Sequence, residues 1–249
     1  MDLIQAIVLG LMQGITEWLP ISSQGQVMVG AVQLFGIQPE TALSYSILLH
    51  AGTLISAIIY FRKEIIELIK LREKQLLKFL FVAVLATTIT AIPSYLMLRS
   101  VVGSSFALMI VVGLMLIITG ILQKLNKKVI KAKLSNKNAL FLGLGQGFSV
   151  LPGVSRSGIT SSVLLFEGFK AEKAFKLSFL LSIPSVLVAE LLFGFAEGIV
   201  WEFNLLIAIV IAAVVGLITI NLLIKLARKI NFSYFCIGFG VLYLILAFI

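Results

Sequence analysis

Long apolar stretches separated by short polar loops make up most of this 249-residue chain. Two stretches, 1–36 and 139–168, are divided by Gly and Pro into pieces shorter than the roughly 20 residues that a transmembrane helix needs, so we interpret each as a re-entrant hairpin of two short helices. The other stretches are long enough to cross a bilayer, and they lie near residues 41–61, 76–98, 104–123, 174–195, 204–225 and 232–249. The pattern predicts an all-α polytopic membrane protein with six transmembrane helices and two re-entrant hairpins.

The order of elements in the first half of the chain returns in the second half. The spacing between matching residues is 133 at first and, after a one-residue gap, 132. The matches are Gly10, Gln13 and Gly14 with Gly143, Gln146 and Gly147, followed by Pro20 with Pro152, Ser23 with Ser155 and Gly36 with Gly168. Because this constant spacing includes Gln, Pro and Ser, we predict a single membrane domain, 1–249, made of two repeats, 1–125 and 138–249.

The two repeats are predicted to be inverted relative to each other, because each contains three transmembrane helices and a hairpin that crosses nothing. Eighteen of the 20 Lys and Arg residues lie in four loops that this topology puts on one side of the membrane, namely 62–78, 124–137, 170–176 and 225–229. That side is predicted to be cytoplasmic, since cytoplasmic loops are enriched in Lys and Arg. The first hairpin of this multi-pass protein then enters from outside, and the second from the cytoplasm, and we expect the membrane to be the plasma membrane.

The composition agrees with this class of protein. The chain is 60% hydrophobic and 12% charged, and its mean hydropathy is +1.12. The net charge of +9 could indicate nucleic-acid binding, but the cations form short clusters between apolar stretches, so we exclude nucleic acid as a partner. The single cysteine, Cys236, excludes an intrachain disulfide and a thiolate metal cluster.

One arginine, Arg156, lies in the second hairpin rather than in a loop. It belongs to the segment LPGVSRSGIT, in which one Pro and two Gly break any continuous helix. Broken backbone at membrane depth persists where protein or a water-filled cavity satisfies its polar groups. The freed N–H groups can then face an anion together with nearby hydroxyls, which are those of Ser155, Ser157 and Thr160. This segment predicts a phosphate-binding site.

The first hairpin contains one acidic residue that is expected at membrane depth, Glu17. It lies four residues after Gln13 and therefore on the same helix face. An ionisable group at this depth costs roughly 2.5–3.5 kcal/mol or more, so a partner is expected, and we predict Arg156. The pair could be purely structural, but a surplus of neighbouring polar residues favours a functional site: Ser22, Ser23, Gln24 and Gln26. Arginine suits phosphate oxygens, while a carboxylate can bind a divalent cation or act as a base on water.

Two further ionisable residues lie within predicted transmembrane helices. The only histidine, His50, is more typical of a satisfied core group than of a catalyst, although a role in the site is open. Glu190 is likewise either a structural carboxylate or a site residue. The sequence contains no metal-ligand cluster, nucleotide-binding loop or Ser-His-Asp set.

The segments QGITEWLPISSQGQ and LPGVSRSGIT resemble the two signature motifs of the undecaprenyl pyrophosphate phosphatase family, also called BacA or UppP. The resemblance covers essentially the whole chain. It implies a membrane hydrolase, an undecaprenyl-diphosphate phosphatase, that removes one phosphate from a polyprenyl diphosphate lipid to recycle the carrier for cell-wall biogenesis, an activity linked to bacitracin resistance. It also implies a pocket that opens toward the outer face, with a divalent cation, Mg²⁺ or Ca²⁺, assisting. A homodimer is left open.

The resemblance also implies the roles of individual residues. The catalytic residues would be Glu17, Ser23 and Arg156, with Glu17 also binding the metal. The substrate-binding residues would be Gln13, Gly153, Ser155, Ser157 and Thr160. We add Ser22 and Gln26 as substrate-binding residues because they lie in the polar loop of the first hairpin.

The chain departs from the family at Gln26, where the family usually has a histidine. Glutamine is neither a nucleophile nor a proton shuttle at neutral pH, so a histidine mechanism requires His50 to substitute. Gln13 also leaves a single carboxylate in the first motif. The expected chemistry is that Arg156 binds the diphosphate, Glu17 binds the cation or orients water, and Ser23 donates a hydrogen bond or attacks. These departures predict weak activity or none, and the alternative is a non-hydrolytic polyprenyl-phosphate binding or transport protein of the flippase type.

Overall fold

The computed structural model describes residues 1–101, 103–124, 132–197 and 202–248, and every regular element in these ranges is helical. Half of the predicted cationic loop 124–137, namely residues 125–131, lies outside the described residues. The helices are α1 Leu3–Thr16, α2 Ser23–Phe35, α3 Pro39–Tyr60, α4 Arg62–Ile69, α5 Lys74–Val101, α6 Ser105–Lys124, α7 Asn136–Gly147, α8 Arg156–Phe166, α9 Ala171–Glu197, α10 Phe203–Lys229 and α11 Ser233–Leu246. The prediction of an all-α protein is confirmed.

Five helices within the described ranges, α3, α5, α6, α9 and α10, are long and apolar enough to cross a membrane. The chain is therefore a multi-pass membrane protein. The sixth predicted span, near 232–249, contains the shorter helix α11 of 14 residues. At about 1.5 Å per residue, α11 is about 21 Å long, less than the roughly 30 Å of a hydrocarbon core. It packs along α6, which does have the length of a span.

The two interrupted stretches form pairs of short helices, as the sequence predicts. Helices α1 and α2 contain 14 and 13 residues and pack together, and α7 and α8 contain 12 and 11 and also pack together. A single 3-10 turn, Phe148–Val150, follows α7. Each short helix is well below the length of a span, while entry of the pairs into the bilayer from opposite sides stays a prediction.

Local sequence signals set the ends of the helices around the first pair. Asp2 and Gln5 form a reciprocal capping box at the start of α1. Gly36 ends α2 with a left-handed φ of 65°, a conformation that glycine adopts without steric cost. Pro39 then starts α3 at a position where its missing N–H is not needed.

Each half of the chain packs its first hairpin helix against a long helix of the other half. Helix α1 contacts α10, and α7 contacts α5. The amides at equivalent positions also make equivalent bonds: Gln13 Nε2 donates to Thr53 Oγ1 at 3.3 Å, and Gln146 Nε2 donates to Ser185 Oγ at 2.8 Å. Thr53 and Ser185 are 132 residues apart, the spacing of the repeat. These contacts agree with an internal duplication whose inverted orientation is a prediction.

Gly153 lies where both hairpins meet α6. Its N–H donates to Ser22 Oγ at 2.9 Å, and its carbonyl accepts from Thr119 Oγ1 at 3.2 Å. Its φ is +98°, and an added Cβ would lie 2.5 Å from the Val112 carbonyl oxygen. The group that the added Cβ would meet is backbone, so no flexible side chain can move away to make room.

We therefore expect Gly153→Ala to destabilise the protein by about 1–3 kcal/mol, through the strained φ and the clash with Val112. Thermal unfolding of the detergent-purified protein should shift to lower temperature, by about 2–4 °C for each kcal/mol. The matched control is Gly238→Ala in α11, where an added Cβ meets nothing within 4 Å. Equal unfolding temperatures for Gly153→Ala and wild type would contradict the close packing described here.

Candidate active site

Glu17 is the centre of the polar groups shared by the two hairpins. It follows the last residue of α1, and its carboxylate is buried. Oε1 accepts from Arg156 Nη2 at 2.5 Å, whereas Oε2 accepts from Ser23 Oγ at 2.6 Å and from Gln13 Nε2 at 3.0 Å. All of these neighbours donate, so the arrangement fits the ionised carboxylate. The predicted pairing of Glu17 with Arg156 is confirmed.

Arg156 has donor capacity that the protein leaves unused. The residue is the first of α8, and its side chain is only 13% exposed. Nη2 contacts Glu17, but Nη1 is buried and has no hydrogen-bond partner among the residues that the structure describes. Leaving a buried donor unpaired is costly, and guanidinium groups bind phosphate oxygens well. Nη1 is thus suited to an oxygen of a bound anion.

Two serines cap the helices that follow the two polar loops. Ser22 Oγ accepts from Gly25 N at 3.3 Å at the start of α2, and Ser155 Oγ accepts from Gly158 N at 3.1 Å at the start of α8. The two capping serines are 133 residues apart, whereas the sequence match of Ser23 with Ser155 has a spacing of 132. The structural counterpart of Ser155 is therefore Ser22, one residue before the expected match. The shift arises because Ser23 and Arg156 are both the first residue of their helices.

The two helix N-termini therefore flank the same carboxylate, since Ser23 of α2 and Arg156 of α8 both bond to Glu17. Helix N-termini carry unpaired N–H groups and a partial positive charge, which favour an anion. Glu17 offsets part of this positive charge when no anion is bound. The site is electrostatically prepared for a ligand with negatively charged oxygens.

A small polar cavity of about 30 Å³ and a larger apolar one of about 380 Å³ meet at this site. Residues of α5 and α9, including Val84, Leu96 and Phe193, line the larger cavity. Four residues line both cavities: Gln24, His50, Ser149 and Arg156. Because the polar cavity is small, a diphosphate would occupy the junction between the two cavities. The combination suits a ligand with an anionic head and an apolar tail.

The structure brings most of the predicted site residues together. Besides Glu17, the residues that line the polar cavity include Ser22, Ser23, Ser155, Arg156 and Ser157. Gln13 contacts Glu17 from the preceding turn of α1. The hydroxyls of Ser22 and Ser155 serve as helix caps. Of these three serines, Ser23 is the one whose hydroxyl donates to the Glu17 carboxylate.

The side chains of Gln26 and Thr160 form hydrogen bonds outside the site, and neither residue is among those that line the two cavities. Gln26 Oε1 accepts from Tyr243 Oη at 2.6 Å, and its Nε2 donates to the Ile21 carbonyl at 3.2 Å. Thr160 Oγ1 lies 2.6 Å from Ser178 Oγ and donates to the Arg156 carbonyl. The amide therefore holds α2 to α11, and the threonine holds α8 to α9. Gly153 packs against α6, as described above, and supports the loop that precedes Arg156.

His50 lies beside Glu17 on α3. Its Nε2 is 3.4 Å from Glu17 Oε2, its Nδ1 is 2.6 Å from the Ser46 carbonyl oxygen, and it lines both cavities. Sequence reasoning left this role open and did not single out Ser149, which lines both cavities. Glu190 lines the apolar cavity, and its Oε1 has no hydrogen-bond partner in the described part of the chain.

The described residues include no group of three or more His, Cys, Asp or Glu side chains arranged to hold a metal ion. Of the carboxylates in the described part of the chain, Glu17 alone lines the polar cavity, and its oxygens already accept hydrogen bonds. Gln13 Oε1 is buried, has no hydrogen-bond partner among the residues placed in the structure, and could add one neutral oxygen. Mg²⁺ commonly binds one or two carboxylates plus substrate phosphates, so these residues fit a cation that shares the oxygens of a bound phosphate group.

Comparison with known proteins identifies relatives of the whole chain. The family model described as bacitracin resistance protein BacA matches residues 6–242. The undecaprenyl-diphosphatase of Methanothrix thermoacetophila is 40% identical over 250 residues, covering 99% of this chain and 97% of the relative. The protein of that name from Methanococcoides burtonii is 40% identical over 267 residues, covering 100% of both chains. The one from Sulfurisphaera tokodaii is 33% identical over 244 residues, covering 93% of this chain and 92% of the relative.

Proposed function

Since this chain belongs to the bacitracin resistance protein BacA family, we propose that it hydrolyses undecaprenyl diphosphate to undecaprenyl monophosphate and inorganic phosphate. The observation that carries the proposal is Arg156, which lies where a polar cavity meets an apolar one and whose buried Nη1 has no partner in the described ranges of the chain. The polar side suits a diphosphate, and the apolar side suits the first units of a polyprenyl tail.

Arg156 is proposed to hold the terminal phosphate through Nη1 while Nη2 keeps its contact with Glu17. Phosphoryl transfer depends on positioning and on stabilising the charge of the transferred group. A guanidinium at this point does both, because its donors have fixed directions and its charge is permanent. The N–H groups at the starts of α2 and α8 add positive potential on the same side.

Glu17 and Ser23 are proposed to act on the nucleophile. The carboxylate can orient a water toward phosphorus and accept a proton from it. In a second route, Ser23 Oγ attacks the terminal phosphorus, and Glu17 Oε2, which already accepts its hydrogen bond at 2.6 Å, receives its proton. The bond from phosphorus to the bridging oxygen breaks, the polyprenyl monophosphate leaves, and water then hydrolyses the phosphoserine to release inorganic phosphate. Both routes need the same ionised carboxylate.

A divalent cation is proposed to accompany the diphosphate, held by Glu17 and the Gln13 amide oxygen. When bound, it would neutralise phosphate charge and polarise the phosphoryl oxygens. Arg156, Glu17 and Ser23 keep the roles described above.

We further propose that the site opens toward the outer face of the plasma membrane. The topology inferred from the Lys and Arg loops supports this orientation. The weak activity predicted from Gln26 is also part of the proposal. The Gln26 amide bonds to Tyr243 and to the Ile21 carbonyl, and these bonds direct the side chain away from Glu17. A homodimer is a prediction that the mass of the detergent-purified protein tests.

The alternative function, transport of a polyprenyl phosphate without hydrolysis, draws on the internal repeat and its broken helices, which are also features of transporters. Phosphate release distinguishes the two functions. Purified protein in detergent should release one inorganic phosphate per polyprenyl diphosphate, and release should be measured with and without Mg²⁺ or Ca²⁺. Tight binding of the lipid diphosphate with no release under any cation condition would favour transport over hydrolysis.

A further inference from the structure

A basic pocket of about 340 Å³ lies at the ends of three spans, α3, α9 and α10, apart from the candidate active site. None of the described residues that line it lines either cavity of that site. On α3, the pocket residue Tyr60 follows the site residue His50 by ten positions, which is about 15 Å along the helix. The pocket therefore needs an explanation other than binding of the diphosphate substrate.

Cations outnumber acids around the basic pocket. Arg62, Lys63 and Lys176 line it, and Glu64 is the one acid among the described residues that do so. Lys176 Nζ lies 2.8 Å from Glu64 Oε1, so these two charges neutralise each other and join α9 to α4. Arg62 donates to the Ile59 carbonyl at 3.1 Å, a contact that orients the guanidinium without neutralising it. The charges of Arg62 and Lys63 are thus left for an anion.

The basic pocket also has an apolar part. Phe61, Phe179 and Ile224 line it from α3, α9 and α10, and all three are buried. The cationic side chains, in contrast, are exposed. A free inorganic anion gains nothing from apolar surface, whereas the first methylene groups of an acyl chain do. The pocket therefore suits an amphiphile with an anionic head.

The position of the basic pocket along the spans matches the depth of lipid headgroups. Helix α3 has the length of a span and ends at Tyr60, a residue type that is enriched at membrane interfaces. The short helix α4 follows at once, with Arg62 at its start and exposed Ile66 and Ile69 further along. A short helix with charged and exposed apolar side chains is typical of the interfacial plane. Lipid phosphates at this depth are within reach of the two cations.

We propose that the basic pocket binds the headgroup of an anionic membrane phospholipid. The phosphate contacts Arg62 and Lys63, and the beginning of an acyl chain packs against Phe61 and Phe179. Basic pockets between transmembrane helices are a recurrent site for such headgroups. A lipid in this position contacts α3, α4 and α9 together, so it stabilises the folded arrangement of these helices.

The test follows the unfolding temperature of the purified protein in neutral detergent while phosphatidylglycerol is added to the micelles. A ligand that binds the folded state raises this temperature. It should rise with phosphatidylglycerol but not with an equal amount of phosphatidylcholine, whose headgroup has no net charge. The variant Arg62→Gln with Lys63→Gln removes both cations and keeps the ion pair of Lys176 with Glu64. Its half-saturating fraction of phosphatidylglycerol should increase roughly fivefold for each cation removed.

The matched control is Lys70→Gln with Lys74→Gln, two exposed lysines that do not line the basic pocket. It changes the net charge by the same amount and should respond to phosphatidylglycerol like wild type. Equal weakening in both double variants would show a general attraction to anionic micelles and would overturn the pocket. A response to inorganic phosphate as large as that to phosphatidylglycerol, and lost in the Arg62 and Lys63 variant, would overturn the lipid as its occupant.

Native mass spectrometry gives a second measurement that does not depend on unfolding. At equal lipid concentration, wild type should retain one more phosphatidylglycerol molecule than the Arg62 and Lys63 variant does. Equal numbers of bound phosphatidylglycerol molecules would contradict the proposal. Phosphate release enters neither measurement, so failure of the lipid site would leave the proposed hydrolysis untouched.

Discussion

Replacing Arg156 with alanine is expected to abolish phosphate release and to weaken binding of the lipid diphosphate. The variant loses the Nη1 donor, which has no partner among the described residues, and leaves Glu17 buried without its cationic partner. Removing one member of a buried ion pair typically costs about 3–5 kcal/mol of stability, so thermal unfolding should also shift downward. Phosphate release, equilibrium binding of a polyprenyl diphosphate and thermal unfolding should be measured on the same preparation.

Two further variants separate the loss of stability from the loss of function. Arg156→Lys keeps the charge but not the planar fork, so it should retain the pairing with Glu17 and still turn over poorly. A double variant, Arg156→Ala with Glu17→Ala, removes both charges and should recover part of the stability while remaining inactive. If Arg156→Ala binds the lipid diphosphate as tightly as wild type, the site assignment is wrong.

Glu17→Gln is expected to remove turnover while preserving binding. The amide keeps the size of the side chain, but it cannot hold a proton from the nucleophile, so kcat should fall roughly 10²- to 10⁴-fold. Arg156 would then lack a negative partner in the free protein, and a bound diphosphate would replace it. Affinity for the lipid diphosphate should therefore be equal to or higher than that of wild type.

The control for this substitution is Glu40→Gln, which removes an exposed carboxylate in the first turn of α3. Both variants change the net charge by the same amount, so a difference between them reports on the site. Binding and phosphate release should be measured separately. Unchanged turnover in Glu17→Gln would exclude the carboxylate from the reaction, and lost binding would assign it to substrate recognition.

Sequence reasoning succeeded where a signal is carried by one segment alone. Long apolar stretches predicted the spans, because length and hydropathy are sufficient to identify them. The contact between Glu17 and Arg156 was predictable for a related reason. Each is the one charged residue of its re-entrant motif, and a buried charge needs an opposite one. The hydrogen bonds to Glu17 from Ser23 and Gln13 extend this agreement to the neighbouring residues.

Contacts set by distant packing were not predictable from the sequence. The partner of Gln26 is Tyr243, 217 residues away, and no local pattern indicates it. Thr160 belongs to the second motif, yet its hydroxyl is used against Ser178 of α9. The one-residue shift of the helix caps depends on backbone geometry, because Ser22 adopts a left-handed φ of 62° that its residue type does not suggest. These hydrogen-bond partners and this backbone conformation depend on the tertiary structure.

The ion pair between Glu17 and Arg156 also has a consequence for biosynthesis. The two residues are 139 positions apart, so the carboxylate leaves the ribosome long before its partner. At about 5–20 residues per second, this delay is roughly 7–28 s. During that time the first hairpin contains a charge that nothing later in the chain has yet neutralised. Stable burial of this hairpin should therefore follow synthesis of the second motif, so the two halves of the protein insert as a coupled pair rather than one after the other.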